Sequence, residues 1–427
     1  MTGPPGAILA GAGPEPPLLT HRVTTLDGGL TVVTERMSDV RSASIGFWVG
    51  TGSVDEPVLH AGASHFLEHL LFKGTAERSA RSIAMAVDSV GGDMNAYTTK
   101  EYTTFYVRLL GDDADMGVQL LSDIVWSPAF RADEFESERQ VILEEILMHA
   151  DEPADLVHDV LASALFPDHP LGREVLGSAA TVGAMSSADV AGFHDHHYRP
   201  GNVVVAAAGA VDHERICEML SAALSAPEAR SGGAAPPRTR PGAAPAVRVD
   251  VGRDTEQAHV AIGLCGPDRE DEDRHALAIV EHVLGGGMSS RLFQTIREER
   301  GLAYSVYSYR MGFEGAGALA VYAGTSPEQA PTVLGLIEEE IDRMSTDGIT
   351  GAELDAAKSH ARGSTALGLE DSGARMGRIG LAQLIHGRVL TLEEIDARLG
   401  ALSLDQVNSV AAKWLSGART VAIVGPS

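Results

Sequence analysis

The stretch "HFLEH", residues 65–69, places two histidines four apart, with a glutamate directly before the second. On a helix, positions i and i+4 lie on one face, one turn apart, so His65 and His69 can reach a single ion. Glu68 leans toward the same place. Zinc accepts imidazole nitrogen readily, and its catalytic sites commonly combine three protein ligands with water. The metal moves the pKa of water toward neutrality, and a neighbouring carboxylate can take the proton. An ordinary buried helix face in a chain with 16 histidines could carry the same pair, so the pattern needs a third ligand.

Candidates stand in "ERQVILEEILMHADEP", where Glu138, Glu144 and Glu145 share one predicted helix over 133–149. Its apolar positions are Phe135, Val141, Ile142, Ile146 and Leu147, and Asp133 is the expected N-cap. Glu138 and Glu145 are two turns apart and so lie on one face. Val141, Ile142 and Ile146 lie near that stripe and turn it partly inward, where bare carboxylates are costly unless paired or metal-bound. The competing reading is an acidic wet side on an amphipathic helix.

Elements must bring these segments together. The chain has 427 residues, which suggests two domains of about 200 residues each. A formal charge of −26 argues against nucleic acid, whose phosphates need clustered Lys and Arg. Only Cys217 and Cys265 are present, so a disulfide framework and a thiolate zinc site are both disfavoured. Any metal must be held by histidine and carboxylate. The start, "MTGPPGAILAGAGPEPPLL", has no basic n-region and is broken by prolines, so residues 1–19 read as a disordered tail and not as a signal peptide. No apolar run approaches membrane-span length, and the expected location is the cytoplasm.

Residues 227–246, rich in Pro, Gly and Ala, read as an extended linker between halves at 20–226 and 247–427. The halves resemble each other. Laying "LEHLLFKG" over "VEHVLGGG" pairs Glu68 with Glu281 and His69 with His282. Each half also ends on a similar strand, "GNVVVAAAGAVD" and "ARTVAIVGPS". The expected fold is α+β: two homologous domains, each a mostly antiparallel sheet with helices packed on one face.

"GASHFLEHLLFKGT", "GGDMNAYTTKEYTTFYV", "FHDHHYRPGNVVVAAAG" and "LFQTIREERGLAYSV" together resemble the pitrilysin (insulinase) family of zinc peptidases, in its mitochondrial-processing-peptidase-like branch. The order H-x-x-E-H is the inverted zincin motif. The resemblance implies one zinc ion, held by His65, His69 and Glu145, with Glu68 as general base and Glu138 orienting a histidine ligand. It implies an endopeptidase for extended or unfolded polypeptides, with Asn95 and Ala96 contacting substrate on a strand. Arg297 and Tyr304 would bind substrate carbonyls, and Asp155 and Asp159 would hold a basic substrate side chain. Read by themselves, these four are a solvated helix residue, a strand residue and acids in a helix's first turns. "LGGGMSS", residues 284–290, reads as a tight turn, with a substrate-contacting glycine loop as the family alternative.

In the second half Ala278 stands opposite His65, Ala357 opposite Glu138 and Ser364 opposite Glu145, so that half should hold no zinc. Its expected role is shape and the supply of Arg297 and Tyr304. A chain that keeps both residue sets favours a homodimer or an active monomer over an obligate heterodimer, with no nucleic acid or membrane partner. The alternative is a non-catalytic homologue that acts as a scaffolding subunit.

Overall fold

A computed structural model describes residues 21–224 and 237–426. The tail expected at 1–19 and the first half of the linker expected at 227–246 lie outside the described residues.

Residues 203–209 read VVVAAAG, an unbroken apolar run, and all are buried. Such a run needs cover on both faces of a sheet. It forms the interior of the first sheet, made of β1 (His21–Thr25), β2 (Thr31–Arg36), β3 (Ser42–Val49), β4 (Asp93–Thr98), β5 (Thr103–Leu110) and β6 (Val203–Gly209). The order is β1-β2-β6-β3-β5-β4, with only β2 and β6 parallel. The second sheet contains β7 (Arg248–Gly252), β8 (Ala258–Cys265), β9 (Ala303–Phe313), β10 (Ala316–Thr325) and β11 (Arg419–Gly425). Its order, β7-β11-β8-β10-β9, repeats the first from β2 onward, including the one parallel pair, β7 with β11.

The first half carries α1 (Ala63–Leu71), α2 (Ala80–Ser89), α3 (Ala114–Trp126), α4 (Ala132–Ala150), α5 (Pro153–Leu165), α6 (Ala179–Ala184), α7 (Ser187–His197) and α8 (His213–Leu224). The second carries α9 (Asp273–Gly285), α10 (Ala330–Asp347), α11 (Gly351–Gly368), α12 (Ser372–His386), α13 (Leu392–Ala401) and α14 (Leu404–Leu415). Helices do not stay on one face, contrary to the sequence expectation. The halves exchange one helix each: α12 lies across β6, β3 and β2, and α5 lies across β11 and β8.

Small side chains make that exchange possible. Ala206 and Ala208 face Met376 and Ile379 of α12 across an apolar layer that includes Trp48. A Cβ on Gly380 would meet the Trp48 ring at 2.7 Å, so the helix and the indole share space only glycine leaves open. On the other side, Leu161 and Leu165 of α5 cover Ala261, Ala320 and Ala422.

Buried charges lock the halves together. Glu35, with 1% of its side chain exposed, accepts from Arg375 at 2.7 Å and Arg378 at 3.0 Å, both on α12. Arg238 falls within the expected linker, yet its side chain is only 6% exposed. It donates to Asp55 at 2.8 Å and to the Glu101 carbonyl at 2.7 Å, while Arg269 of the second half donates to the Glu101 carboxylate at 2.6 Å. The Arg238 side chain is therefore a buried pin within that segment. Removing one partner of a buried ion pair strands the other charge. Glu35→Ala strands two arginines, and we expect it to lower unfolding free energy by about 3 kcal/mol or more. A urea midpoint indistinguishable from wild type would show that α12 is not held this way.

Candidate active site

Helix α1 starts at a turn that only glycine fits comfortably. Gly62 has φ +96°, and a Cβ there would meet the Leu176 carbonyl oxygen at 2.6 Å. The first amides of a helix have no partner within it. Here the Glu56 carboxylate accepts from the Gly62 amide at 2.8 Å and the Ser64 amide at 2.7 Å. Burial pushes the Glu56 carboxyl up to about 7, against the pull of those two amides and of Arg173.

The buried side of α1 carries Phe66, Leu67, Leu70 and Leu71. Phe66 stacks on Phe135 of α4, with ring centroids 4.6 Å apart, and the Arg139 guanidinium lies 4.9 Å from the Phe135 centroid. Arg131, not Asp133, is the N-cap of α4, and Asp133 falls in its first turn. Val141 and Leu147 are 42% and 57% exposed, so they do not belong to its inner face. Each is one position off the inward Ile142 or Ile146, and a step of about 100° per residue turns it out.

The two helices bring the three candidate metal ligands together. Glu145 Oε2 lies 3.7 Å from His65 Nε2 and 3.4 Å from His69 Nε2. Zinc bonds of roughly 2.0–2.2 Å at tetrahedral angles give ligand-to-ligand edges of about 3.4 Å. The donor set therefore fits zinc. His69 Nδ1 donates to Glu138 Oε2 at 3.2 Å, which keeps the proton on that nitrogen and leaves the Nε2 lone pair free. Lys73 balances the buried Glu138 through its other oxygen at 2.8 Å. The His65 ring is held down at about 4, first by burial and then by His69, so it is neutral as a ligand must be. Glu144, the third acid of the sequence, is outside this cluster.

Glu68 accepts from Thr98 Oγ1 at 2.6 Å. Burial raises its carboxyl above the ordinary glutamate range, although the Thr98 bond opposes the shift. Thr98 is the last residue of β4, which among the described residues pairs only with β5 and so leaves one edge of the sheet open. Asn95 and Ala96 lie on this edge strand, opposite Tyr106 and Phe105.

The second half repeats part of the arrangement. Glu281 of α9 accepts from Ser308 Oγ of β9 at 3.1 Å, the counterpart of Glu68 with Thr98. His282 stacks on His360 of α11, with centroids 4.2 Å apart. Ala357 is buried at the α9–α11 contact, and Ser364 lies further along α11. Arg297 closes a π-helical turn, Phe293–Glu298, and its guanidinium lies 4.7 Å from the Tyr304 ring centroid. Tyr304 is 80% exposed. Among the described residues, no hydrogen bond, ion pair or ring contact joins Arg297 or Tyr304 to His65, Glu68, His69 or Glu145. The 284–290 segment places Met288 on the surface, and the Gln294 side chain donates to its carbonyl at 2.7 Å.

Asp155 is exposed in the first turn of α5. Asp159 is not free: its Oδ2 lies 2.5 Å from His149 Nε2. Burial and the neighbouring Glu174 raise the Asp159 carboxyl. Sequence reasoning missed Glu56, Lys73, Thr98, His149 and Glu174. Only His149 left a usable sign, since it stands four after Glu145, the spacing that drew attention to His65 and His69.

Two histidines and a glutamate from two helices, with a second glutamate beside them, make a candidate metal centre of the kind that metal-dependent hydrolases use. Comparison with known proteins gives the family. A profile described as Insulinase (Peptidase family M16) matches residues 31–179, and one described as Peptidase M16 inactive domain matches residues 184–360. An uncharacterized zinc protease of Streptomyces coelicolor is 45% identical over 416 residues, covering 95% of this chain and 90% of that protein. An uncharacterized zinc protease of Mycobacterium tuberculosis is 45% identical over 411 residues, covering 96% and 94%. This chain belongs to peptidase family M16, the insulinase family. A protease from Helicobacter pylori shares the fold, with a TM-score of 0.90 at 23% identity, over 96% of this chain and 100% of that one. A structure from Pseudomonas fluorescens titled as a peptidase M16 inactive domain superimposes with a TM-score of 0.89 at 23% identity, over 96% and 98%.

The raised Glu56 carboxyl has a sign that can be measured. Its folded pKa of about 7 lies above its unfolded value, so the folded state keeps a proton that the unfolded state has lost. That contribution is complete below about pH 4.5 and disappears as pH rises through 7. In metal-stripped protein, Glu56→Gln should flatten the fall in stability between about pH 5 and 7. An unchanged slope in denaturant melts across that window would show that Glu56 folds as a carboxylate.

Proposed function

We propose that this chain is a zinc-dependent endopeptidase that hydrolyses extended or unfolded polypeptides. The observation that carries the reading is the link from metal cluster to substrate edge: Glu68 stands beside the ligands and is tied by Thr98 to the open strand β4. In this reading His65, His69 and Glu145 hold one zinc ion, and Glu138 fixes the His69 ring. When bound, zinc supplies a Lewis acid that makes water more acidic and polarises a peptide carbonyl.

The chain's own residues do the rest. Glu68 takes the proton of the attacking water and returns it to the leaving amine, and its raised carboxyl suits both transfers. An extended peptide adds to β4 by main-chain bonds at Asn95 and Ala96. Tyr304 donates to the developing oxyanion, and Arg297 binds a neighbouring carbonyl. Tyr304 is 80% exposed and lies against Arg297, so both are open to substrate, and a chain that keeps both residue sets supports a homodimer or an active monomer over an obligate heterodimer. Asp155 and Asp159 accept a basic substrate side chain. The two unpaired cysteines fit a reducing, cytoplasmic setting. No helix among the described residues is long and apolar enough to cross a membrane.

Glu68→Gln should keep its zinc and lose a factor of about 10²–10⁴ in kcat on an unstructured arginine-containing peptide. Equal cleavage by variant and wild type would remove the peptidase reading. Tyr304→Phe should also keep its zinc, with kcat lower by about 10² and KM little changed. A variant as fast as wild type would take Tyr304 out of the reaction.

A further inference from the structure

A second group of ligand-type side chains lies next to the first. His149, Asp159 and Glu174 offer one donor atom each, all within 4.8 Å of one another. His149 is four residues after Glu145 on α4, so it projects from the same helix face one turn further on. Asp159 is on α5, and Glu174 follows the short helical turn Pro170–Gly172.

The geometry of Glu174 is what points to a cation. Its Oε1 accepts from the Val175 amide at 2.9 Å, which fixes the carboxylate plane. Its Oε2 is buried, faces His149 Nε2 at 3.7 Å, and has no donor except a proton carried by Asp159. Two carboxylates this close cannot both stay ionised in a half-buried site without a proton or a cation between them. His149 Nε2 lies 2.5 Å from Asp159 Oδ2, nearer than its 3.7 Å from Glu174 Oε2, so its hydrogen bond goes to Asp159. Lys100 stands nearby, but its ammonium donates to the Arg173 carbonyl. Burial lowers the Lys100 pKa, against the pull of Glu174, Asp159 and Glu56.

We propose that His149, Asp159 and Glu174 form a second divalent-metal site for a transition-metal ion such as zinc or manganese, and that its occupation closes the acidic pocket to a basic substrate side chain. One imidazole and two carboxylates suit such ions. Bonds of about 2.1 Å require the His149 and Asp159 donors to part by roughly an ångström, a side-chain movement. With one imidazole against two, the site binds more weakly than the first. The closing effect rests on the reading of Asp159 as a substrate contact given above. The metal site itself does not.

The test is a titration of the chelator-stripped full chain with zinc chloride at pH 7.5, followed by calorimetry. Wild type should take two equivalents, the second bound at least 10²-fold more weakly. His149→Ala and Glu174→Gln should each take only the tight one, which also reports that they fold. His65→Ala should keep the weak one. A single equivalent in wild type, or two in both His149→Ala and Glu174→Gln, overturns the site. In the second arm, the second equivalent should raise KM at least tenfold for an arginine-containing peptide and leave KM unchanged for its norleucine analogue. An equal effect on both peptides, or none, overturns the closing role while the titration still decides the site. If neither peptide is cleaved at one equivalent, the peptidase reading has failed separately.

Discussion

The packing of α1 on α4 is the contact on which the rest of the site depends. Two ligands come from one helix and the third from the other, so the cluster exists only while the helices keep their register. Phe66 stacked on Phe135 and the buried Ile142 fix that register from the apolar side. The Glu138 bridge to His69 and Lys73 fixes it from the polar side. A slip of one residue along α4 would turn Glu145 by about 100° and take it out of reach of both imidazoles. Glu56 holds the start of α1, so the position of Glu68 also follows from this joint.

A second constraint works at the scale of the whole chain. Each half lends one helix to the other's sheet, and the alanine-rich strand faces accept those helices closely. The exchange buries Glu35 with two arginines from α12 and draws Arg238 into a charge cluster with Asp55 and Glu101. The lent helix α5, with Asp155 and Asp159, follows α4 directly in the chain. The neighbourhood of the site is thus built by the same connection that joins the halves.

Much of this is legible in the sequence because it is local. The spacing in "HFLEH" fixes a helix face, and the run VVVAAAG fixes a strand covered on both sides. The repeat of "LEH" as "VEH" anticipates two sheets of the same strand order. Assigning Glu145 over Glu144 needed the family resemblance, since one helix step separates them. What stayed hidden depends on distant segments meeting. No periodicity shows that Glu56 reaches the amides of α1, that Thr98 holds Glu68, or that Glu174 folds back onto His149. The exchanged helices were hidden for the same reason: an apolar stripe on α12 says that it must be covered, and not by which sheet. The Val141 and Leu147 assignments failed on helix phase, where one residue decides inside from outside.

The central claim is that His65, His69 and Glu145 bind zinc as a set. X-ray absorption at the zinc edge, on protein loaded with one equivalent, tests it most directly. The account predicts a shell of nitrogen and oxygen at about 2.0–2.1 Å, with the outer-shell scattering of two imidazoles. That pattern should be lost in His69→Ala, whose zinc keeps one imidazole at most. A sulfur shell near 2.3 Å, or a wild-type spectrum with no imidazole signature, would contradict it.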